Sequence, residues 1–457
     1  MQQRIRKVFV ANRGEIAVRI IRAARELGMQ TVLGCSAADV DSLAAHMSDE
    51  VITVGPAPAA KSYLDIAAVV TAAKGAGADA VHPGYGFLSE NAEFAQAVVD
   101  AGLIFVGPSP QAIALMGDKA QARACAMKAG VPTVPGSKGV VENLATALVN
   151  ADQVGYPVML KAAAGGGGRG IRVAADAKEL EAQYAIATRE AQSAFGYGGL
   201  YLERFVGLAR HVEVQILADG ERAIHLFERE CSLQRRRQKL VEEAPSPSLD
   251  SAVRQKMCLS AVALAESVGY RGVGTVEYLY DPKTSEFFFI EMNTRVQVEH
   301  PITEMVTGID IVRESLRLAT GEPLQHNQAE IALRGAAIEC RINAEDPQKN
   351  FMPAPGTVNA LRLPTGPGVR VDTHLYEGYS VPPYYDSLLA KVVVWDCARP
   401  QAIERMKRAL GEFDVEGLKT TKSLHLALLD DEGFRAADYH TGYLEANLSR
   451  IVSGITD

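Results

Sequence analysis

The sequence has no closely spaced cysteine pair, no long apolar run and no excess of basic residues, and each absence removes a class of function. Its six cysteines, Cys35, Cys125, Cys231, Cys258, Cys340 and Cys397, include no CxxC pair and no short Cys/His cluster. Neither a zinc site nor a disulfide framework is therefore indicated, and reduced thiols of a cytoplasmic protein are the better reading. The polar, basic start from Met1 to Lys7 is followed by an apolar run that stops at Asn12. That is too short for a signal peptide, and no stretch approaches a membrane span. A net charge of −8 argues against nucleic acid or a membrane surface as a partner, since both call for a broad basic face. A basic pocket for an anionic substrate stays open. Internal repeats and low-complexity linkers are also missing.

What is present suits a globular protein of two or three domains: 457 residues, 47% hydrophobic and 22% charged, enough for a sizeable core. Short apolar strands alternate with helical spacing in the first part. Val8 to Ala11 reads as a strand, Ile16, Ile20, Ala23, Ala24 and Leu27 recur as one helical face up to Gly28, and Thr31 to Gly34 reads as the next strand. Asp79 to His82 and Leu103 to Val106 continue the series, with a helix from Ser89 to Ala101 between them. The alternation predicts a parallel, Rossmann-like sheet over residues 1–115. Residues 116–333 instead carry antiparallel signals around 158–161, 171–173, 200–202 and 211–216, then a helix from Ser251 to Val268. Residues 334–457 resume mixed strands with many Pro and Gly turns.

Ala162 to Gly170 reads AAAGGGGRG. It lacks the GK[ST] ending of a Walker A loop and the GxGxxG of a dinucleotide fold, and Ile171 to Ala174 continues as a strand rather than a helix. A strand–glycine loop–strand with Lys161 at its entrance can fold backbone amides over triphosphate oxygens. Plain mobile coil is the alternative.

Val273 to Tyr280 and Glu286 to Met292 flank the turn cluster Asp281 to Ser285. Pairing about Thr284 sets Glu277 opposite Glu291, since both stand seven residues from it. Two facing carboxylates repel unless a cation or proton intervenes. Asn293, on the same strand face as Glu291, adds an oxygen that suits Mg²⁺, with Mn²⁺ as an alternative. A solvated face with two unremarkable glutamates is the competing reading, against which the apolar run Phe287 to Ile290 speaks. The alternation then continues through Arg295, Gln297 and Glu299. An extended segment would place all five polar groups on one wall, and Pro301 favours an extended conformation at His300.

These segments together resemble biotin carboxylases of the ATP-grasp family. The resemblance rests on ANRGEIA at Ala11–Ala17, HPGYGFLSEN at His82–Asn91, MGDK at Met116–Lys119, GGGGRG at Gly165–Gly170, EMNTRVQVEHP at Glu291–Pro301, ECRINAEDP at Glu339–Pro347 and PPYYDSLLAK at Pro382–Lys391. It implies a mixed α/β and α+β chain: a Rossmann-like N-terminal domain (1–115), an ATP-grasp domain (116–333) with a glycine-loop lid at about 133–205, and a C-terminal domain (334–457). It implies ATP contacts from Lys119, Lys161, Gly167, Gly168, His211 and Gln234, with adenine along Glu203, Arg204, Phe205 and Val206. Mg²⁺ would be held by Glu277, Glu291 and Asn293. Bicarbonate would meet Lys239, Arg295, Gln297 and the Val298 backbone, Arg341 would face the biotin ureido group, and Tyr85 and Gly86 would lie near the biotin pocket.

The roles implied are those of bicarbonate activation. Glu299 resembles the general base that takes the bicarbonate proton as its oxygen attacks the γ-phosphate. The resulting carboxyphosphate carries the carboxyl group to biotin, whose enolate-like oxygen needs the cation of Arg341. The chain departs from the family at Arg237, where histidine is common near the ribose, and at Ala164, often glycine. No Met-Lys-Met attachment motif occurs. The expectation is therefore a chain acting on a biotinylated carrier protein, with a separate carboxyltransferase subunit, acetyl-CoA carboxylase as the commonest setting, and a homodimer.

Overall fold

The computed structural model describes residues 4–137, 139–163 and 171–455. Five strands, β1 (Lys7–Val10), β2 (Gln30–Ser36), β3 (Glu50–Gly55), β4 (Ala80–His82) and β5 (Ile104–Phe105), form an all-parallel sheet in the order β3-β2-β1-β4-β5, with the edge strand β3 largely exposed. The helix Gly14–Glu26 buries Ile16, Ile20, Ile21, Ala23 and Ala24 against it, and Gly28 adopts the positive φ of +70° that ends such a helix. The Asn12 amide donates to the carbonyls of Pro83 (2.6 Å) and Tyr85 (2.8 Å). That pins the loop bearing Tyr85 over the start of the first helix.

Three antiparallel strands, β6 (Val158–Ala162), β7 (Ile171–Ala174) and β8 (Leu200–Arg204), make a small sheet in the order β7-β6-β8. The glycine loop joins β6 to β7, and its residues Ala164, Gly167 and Gly168 lie outside the described residues.

The largest sheet is built from β9 (Arg210–Asp219), β10 (Ala223–Arg235), β11 (Gln238–Ala244), β12 (Arg271–Asp281), β13 (Glu286–Asn293) and β14 (Ala336–Asn343). Beyond a short pair, β15 (Glu345–Asp346) with β16 (Met352–Pro353), come β17 (Ala360–Arg362), β18 (Val369–Thr373), β19 (Leu388–Asp396) and β20 (Asp414–Glu416), which pairs with β17. Strands β18 and β19 extend the large sheet, giving the order β13-β12-β9-β10-β11-β14-β19-β18. The central and C-terminal segments therefore share one antiparallel sheet. Its seam is β11 against β14, with Val241 opposite Cys340 and Glu242 opposite Glu339. The helix Ser251–Ser267 covers the β9–β12 part with Met257, Cys258, Ala261 and Leu264. The helix Arg399–Glu412 covers β14 and β19 with Ile403, Met406 and Leu410. Among the described residues no helix is long and apolar enough to cross a membrane.

Two local expectations fail. The hairpin is not centred on Thr284: Asp281 pairs with Glu286 and Tyr278 with Phe289, and a bulge at Ile290 then restores Glu277 opposite Glu291. The segment Glu291–Glu299 is not extended throughout, because β13 stops at Asn293 and Glu299 caps the helix His300–Thr307. His300 is helical rather than extended. Pro301 falls in the first helical turn, where a missing N–H costs nothing.

Candidate active site

Strand register lines up four charges across one face of the large sheet. Arg229 on β10 stands opposite Glu213 on β9, Glu213 opposite Glu277 on β12, and Glu277 opposite Glu291 on β13. Three carboxylates side by side must be compensated. Arg229 donates Nε to Glu213 at 2.6 Å. Lys239, entering from β11, brings Nζ to 2.6 Å from Glu213 and 3.3 Å from Glu277, and His211 lies 3.0 Å from the other Glu277 oxygen. Against burial, Lys239 and His211 hold Glu277 far below the ordinary carboxylate range. Glu291 ends the row with no hydrogen bond or ion pair among the described residues, and burial together with Glu277 raises its pKa.

The clusters His211–Glu213–Glu277, part-buried at His211, and Glu213–Cys231–Glu299, fully buried, have the ligand spacing of a cation site. The Lys239 ammonium already lies against Glu213, Glu277 and Glu299, so these carboxylates are neutralised by protein. Among the described residues, the outer end, where Glu291 faces Glu277, is the part of the row at which Glu291 has no ion-pair partner. Its hard oxygen donors and the raised Glu291 fit Mg²⁺. Asn293 is at that end, donating its amide to Glu277 at 2.8 Å and accepting from Arg295 at 3.0 Å.

Past β13 the chain bends, and the side chains still converge. Arg295 donates to Gln297 (2.6 Å) and to Glu90 (2.9 Å), and Gln297 donates to Glu277 at 3.1 Å. Glu90 also accepts from the Thr294 amide at 3.1 Å, so the N-terminal part fixes the bend. Glu299 joins the group through cations: Lys239 Nζ is 2.6 Å from one oxygen and Arg341 Nη2 is 3.0 Å from the other. Against burial, Lys239, Arg341 and Arg229 hold Glu299 well below its ordinary pKa. The Arg341 guanidinium also donates from Nε at 2.6 Å to Glu242, whose pKa burial pushes up to about 7 against the pull of Arg341. It reaches these partners because β14 lies beside β11.

The remaining expected positions fall around this centre. Lys161 pairs with Glu203, which also accepts from Arg123 at 3.0 Å, so these two nucleotide candidates satisfy each other. Arg204 is paired with Glu286 at 2.6 Å and lies over the Phe288 ring, next to buried Val206. The Phe205 amide donates to the Pro157 carbonyl at 2.9 Å. Lys119 opens the helix Lys119–Lys128, near enough to Glu291 to oppose in part the rise that burial and Glu277 impose on it. Gln234, half-buried, is the cross-strand partner of Lys239. Tyr85 donates its hydroxyl to Glu15, while Gly86 beside it is exposed. Arg237 occupies the exposed β10–β11 turn with a φ of +67°.

Sequence reasoning missed Glu213, Cys231, Glu242 and Glu90. The period-two pattern His211-Glu213-Gln215 marks Glu213 as facing the way His211 does. The other three carry no local signal, because register and chain crossing bring them in.

Family models match three consecutive stretches: the biotin carboxylase N-terminal domain over residues 4–113, the carbamoyl-phosphate synthase L chain ATP-binding domain over 118–327, and the biotin carboxylase C-terminal domain over 339–446. Biotin carboxylase 1 of Bacillus subtilis (strain 168) is 53% identical over 442 residues, covering 96% of this chain and 98% of the relative. The biotin carboxylase domain dimer of Hydrogenobacter thermophilus 2-oxoglutarate carboxylase, solved with MgADP, ADP and bicarbonate, superposes with a TM-score of 0.87 at 46% identity, covering 98% of this chain and 99% of that one. The biotin carboxylase subunit of a pyruvate carboxylase gives a TM-score of 0.90 at 46% identity with the same coverage.

Proposed function

The chain belongs to the biotin carboxylase family of ATP-grasp ligases, and from that premise we propose that it carboxylates biotin on a separate carrier protein, using ATP and bicarbonate, as the first half-reaction of acetyl-CoA carboxylase. The observation that carries this reading is Glu299 held between Lys239 and Arg341 beside the Arg295–Gln297 pair. A carboxylate so held is ionised and a weak base. An incoming bicarbonate would draw Lys239, Arg295 and Arg341 toward its own charge, and Glu299, relieved of them, would gain the basicity to take the bicarbonate proton.

Phosphoryl transfer asks the protein mainly for positioning and charge neutralisation. Lys119, Lys161, His211 and Gln234 are the groups assigned to the nucleotide, and Glu203 to Val206 to its adenine. Glu277, Glu291 and Asn293 would hold Mg²⁺, which when bound neutralises phosphate oxygens. Arg341 presents a planar cation where the biotin ureido oxygen would become negative, and Tyr85 and Gly86 would border that pocket. A relative solved as a dimer with MgADP and bicarbonate supports the nucleotide, the ion and a homodimer.

A second reading keeps the half-reaction and changes the final acceptor. Relatives of nearly the same length serve 2-oxoglutarate and pyruvate carboxylases, and a separate carboxyltransferase would select the acceptor. Purified protein should hydrolyse ATP only with bicarbonate, and faster when free biotin is added. Acceleration by a different carboxylate instead of biotin would replace this reading with another ATP-grasp ligase. Identifying the co-purifying subunits decides between acceptors.

A further inference from the structure

Strand β19 is apolar on both sides of one position. Leu389, Ala390, Val392, Val393 and Val394 are fully buried, and so is Lys391 among them. A buried ammonium is costly unless paired and hydrogen-bonded. The partners of Lys391 come from three distant segments. Its Nζ lies 3.0 Å from Glu15 in the first helix and 3.8 Å from Asp372 on β18, and it donates at 2.9 Å to the carbonyl of Val298.

The Val298 carbonyl needs such a donor. In the turn entering the helix His300–Thr307, the His300 amide bonds back to Gln297 (3.3 Å) and the Ile302 amide to Glu299 (3.4 Å). In that three-residue pattern the donor for Val298 would be residue 301. Pro301 has no N–H, so the carbonyl, on a part-buried residue, is left without a backbone partner and takes one from a side chain.

Resting on the reading that residues 295–299 hold bicarbonate and its base, we propose that Lys391 is a positioning residue of the bicarbonate pocket, acting through the Val298 carbonyl. The bond fixes the peptide joining Val298 to Glu299, and with it the direction in which Glu299 meets Lys239 and Arg341. Glu15, which anchors Lys391, also accepts from the Tyr85 hydroxyl. The same clamp therefore ties the loop of Tyr85 to the peptide that aims the base.

The test separates aiming from stability. Lys391→Met alone leaves Glu15 buried without its cation, so the informative variant is Glu15→Gln combined with Lys391→Met. It removes both charges, and the new amide oxygen still accepts from Tyr85. With folding checked by thermal melting, the KM for bicarbonate should rise about tenfold or more, because the Val298 peptide assigned to bicarbonate would no longer be held in place. The KM for ATP should stay within roughly twofold. Should the double variant fail to fold, Lys391→Arg keeps the charge opposite Glu15 and Asp372. Its planar guanidinium presents donors in a different geometry, and the ratio of the two KM values should again rise several-fold. A merely structural lysine would lower the melting temperature and leave that ratio unchanged, and an unchanged ratio in a folded variant overturns the proposal. Failure of the underlying reading looks different, since the unmodified protein would then show no bicarbonate dependence at all.

Discussion

Lys239 and the buried Glu299 form a part-buried ion pair, Nζ to Oε1 at 2.6 Å, and the same ammonium compensates Glu213 and Glu277. One lysine therefore links the charge row of the sheet to the carboxylate at the head of the helix His300–Thr307. Arg341 on the far side of Glu299 closes the arrangement.

Glu299→Gln removes the acceptor for the bicarbonate proton while keeping shape. Nucleotide binding should persist, and the maximal rate of bicarbonate-dependent ATP hydrolysis should fall about 10²–10³-fold, the usual range for losing a general base. Turnover equal to the unmodified protein would take Glu299 out of that role.

Glu291→Gln removes one of the two facing charges at the end of the row. The Mg²⁺ concentration giving half-maximal activity should rise about tenfold, as expected when a hard cation loses an anionic ligand, and the maximal rate should fall with it. A magnesium titration that superposes on the unmodified protein would count against Glu291 as a ligand.

Arg341→Lys keeps a charge but loses the fork that spans Glu242 and Glu299. Biotin-stimulated turnover should drop about 100-fold, as when a preorganised donor to developing charge is removed. ATP hydrolysis with bicarbonate alone should drop less. Equal losses in both assays would place Arg341 in the phosphoryl-transfer step instead.

Asp219 supplies a stability test away from the site. Against burial, which raises it, the amides of Leu324 (2.9 Å), Arg222 (2.8 Å) and Glu221 (3.1 Å) hold its carboxyl below the ordinary value. A depressed carboxyl stabilises the fold above its unfolded pKa, near 3.9, and loses that contribution as pH falls through the folded value. Asp219→Ala should cost about 2 kcal/mol at pH 7, typical for hydrogen bonds to a charged group. In urea titrations the deficit should stay level down to about pH 5 and shrink below about pH 4. A deficit that grows on acidification would contradict the sign.

The hairpin shows how far reading along the chain reaches. Counting from Thr284 placed Glu277 opposite Glu291 correctly, yet the pairs nearer the turn run one residue out of that register until Ile290 bulges. Counting along a strand carries no information about an inserted residue. The expected wall from Glu291 to Glu299 is likewise a set of convergent side chains on a bent segment. Its polar residues meet because Glu90 and Lys239 come in from elsewhere.

The sequence by itself determined the parallel first sheet, the antiparallel centre and the strands on either side of the glycine loop, because periodicity and turn residues are local. Only the tertiary structure decided which charges neutralise which. Arg341 reaches Glu299 because β14 pairs with β11, Lys239 lies among three carboxylates because β11, β9 and β12 share one sheet, and Lys391 meets Val298 because Pro301 leaves that carbonyl open. The energy of a buried charge depends on what lies within a few ångströms, and neighbours tens of residues apart in sequence become neighbours in space only when the chain folds.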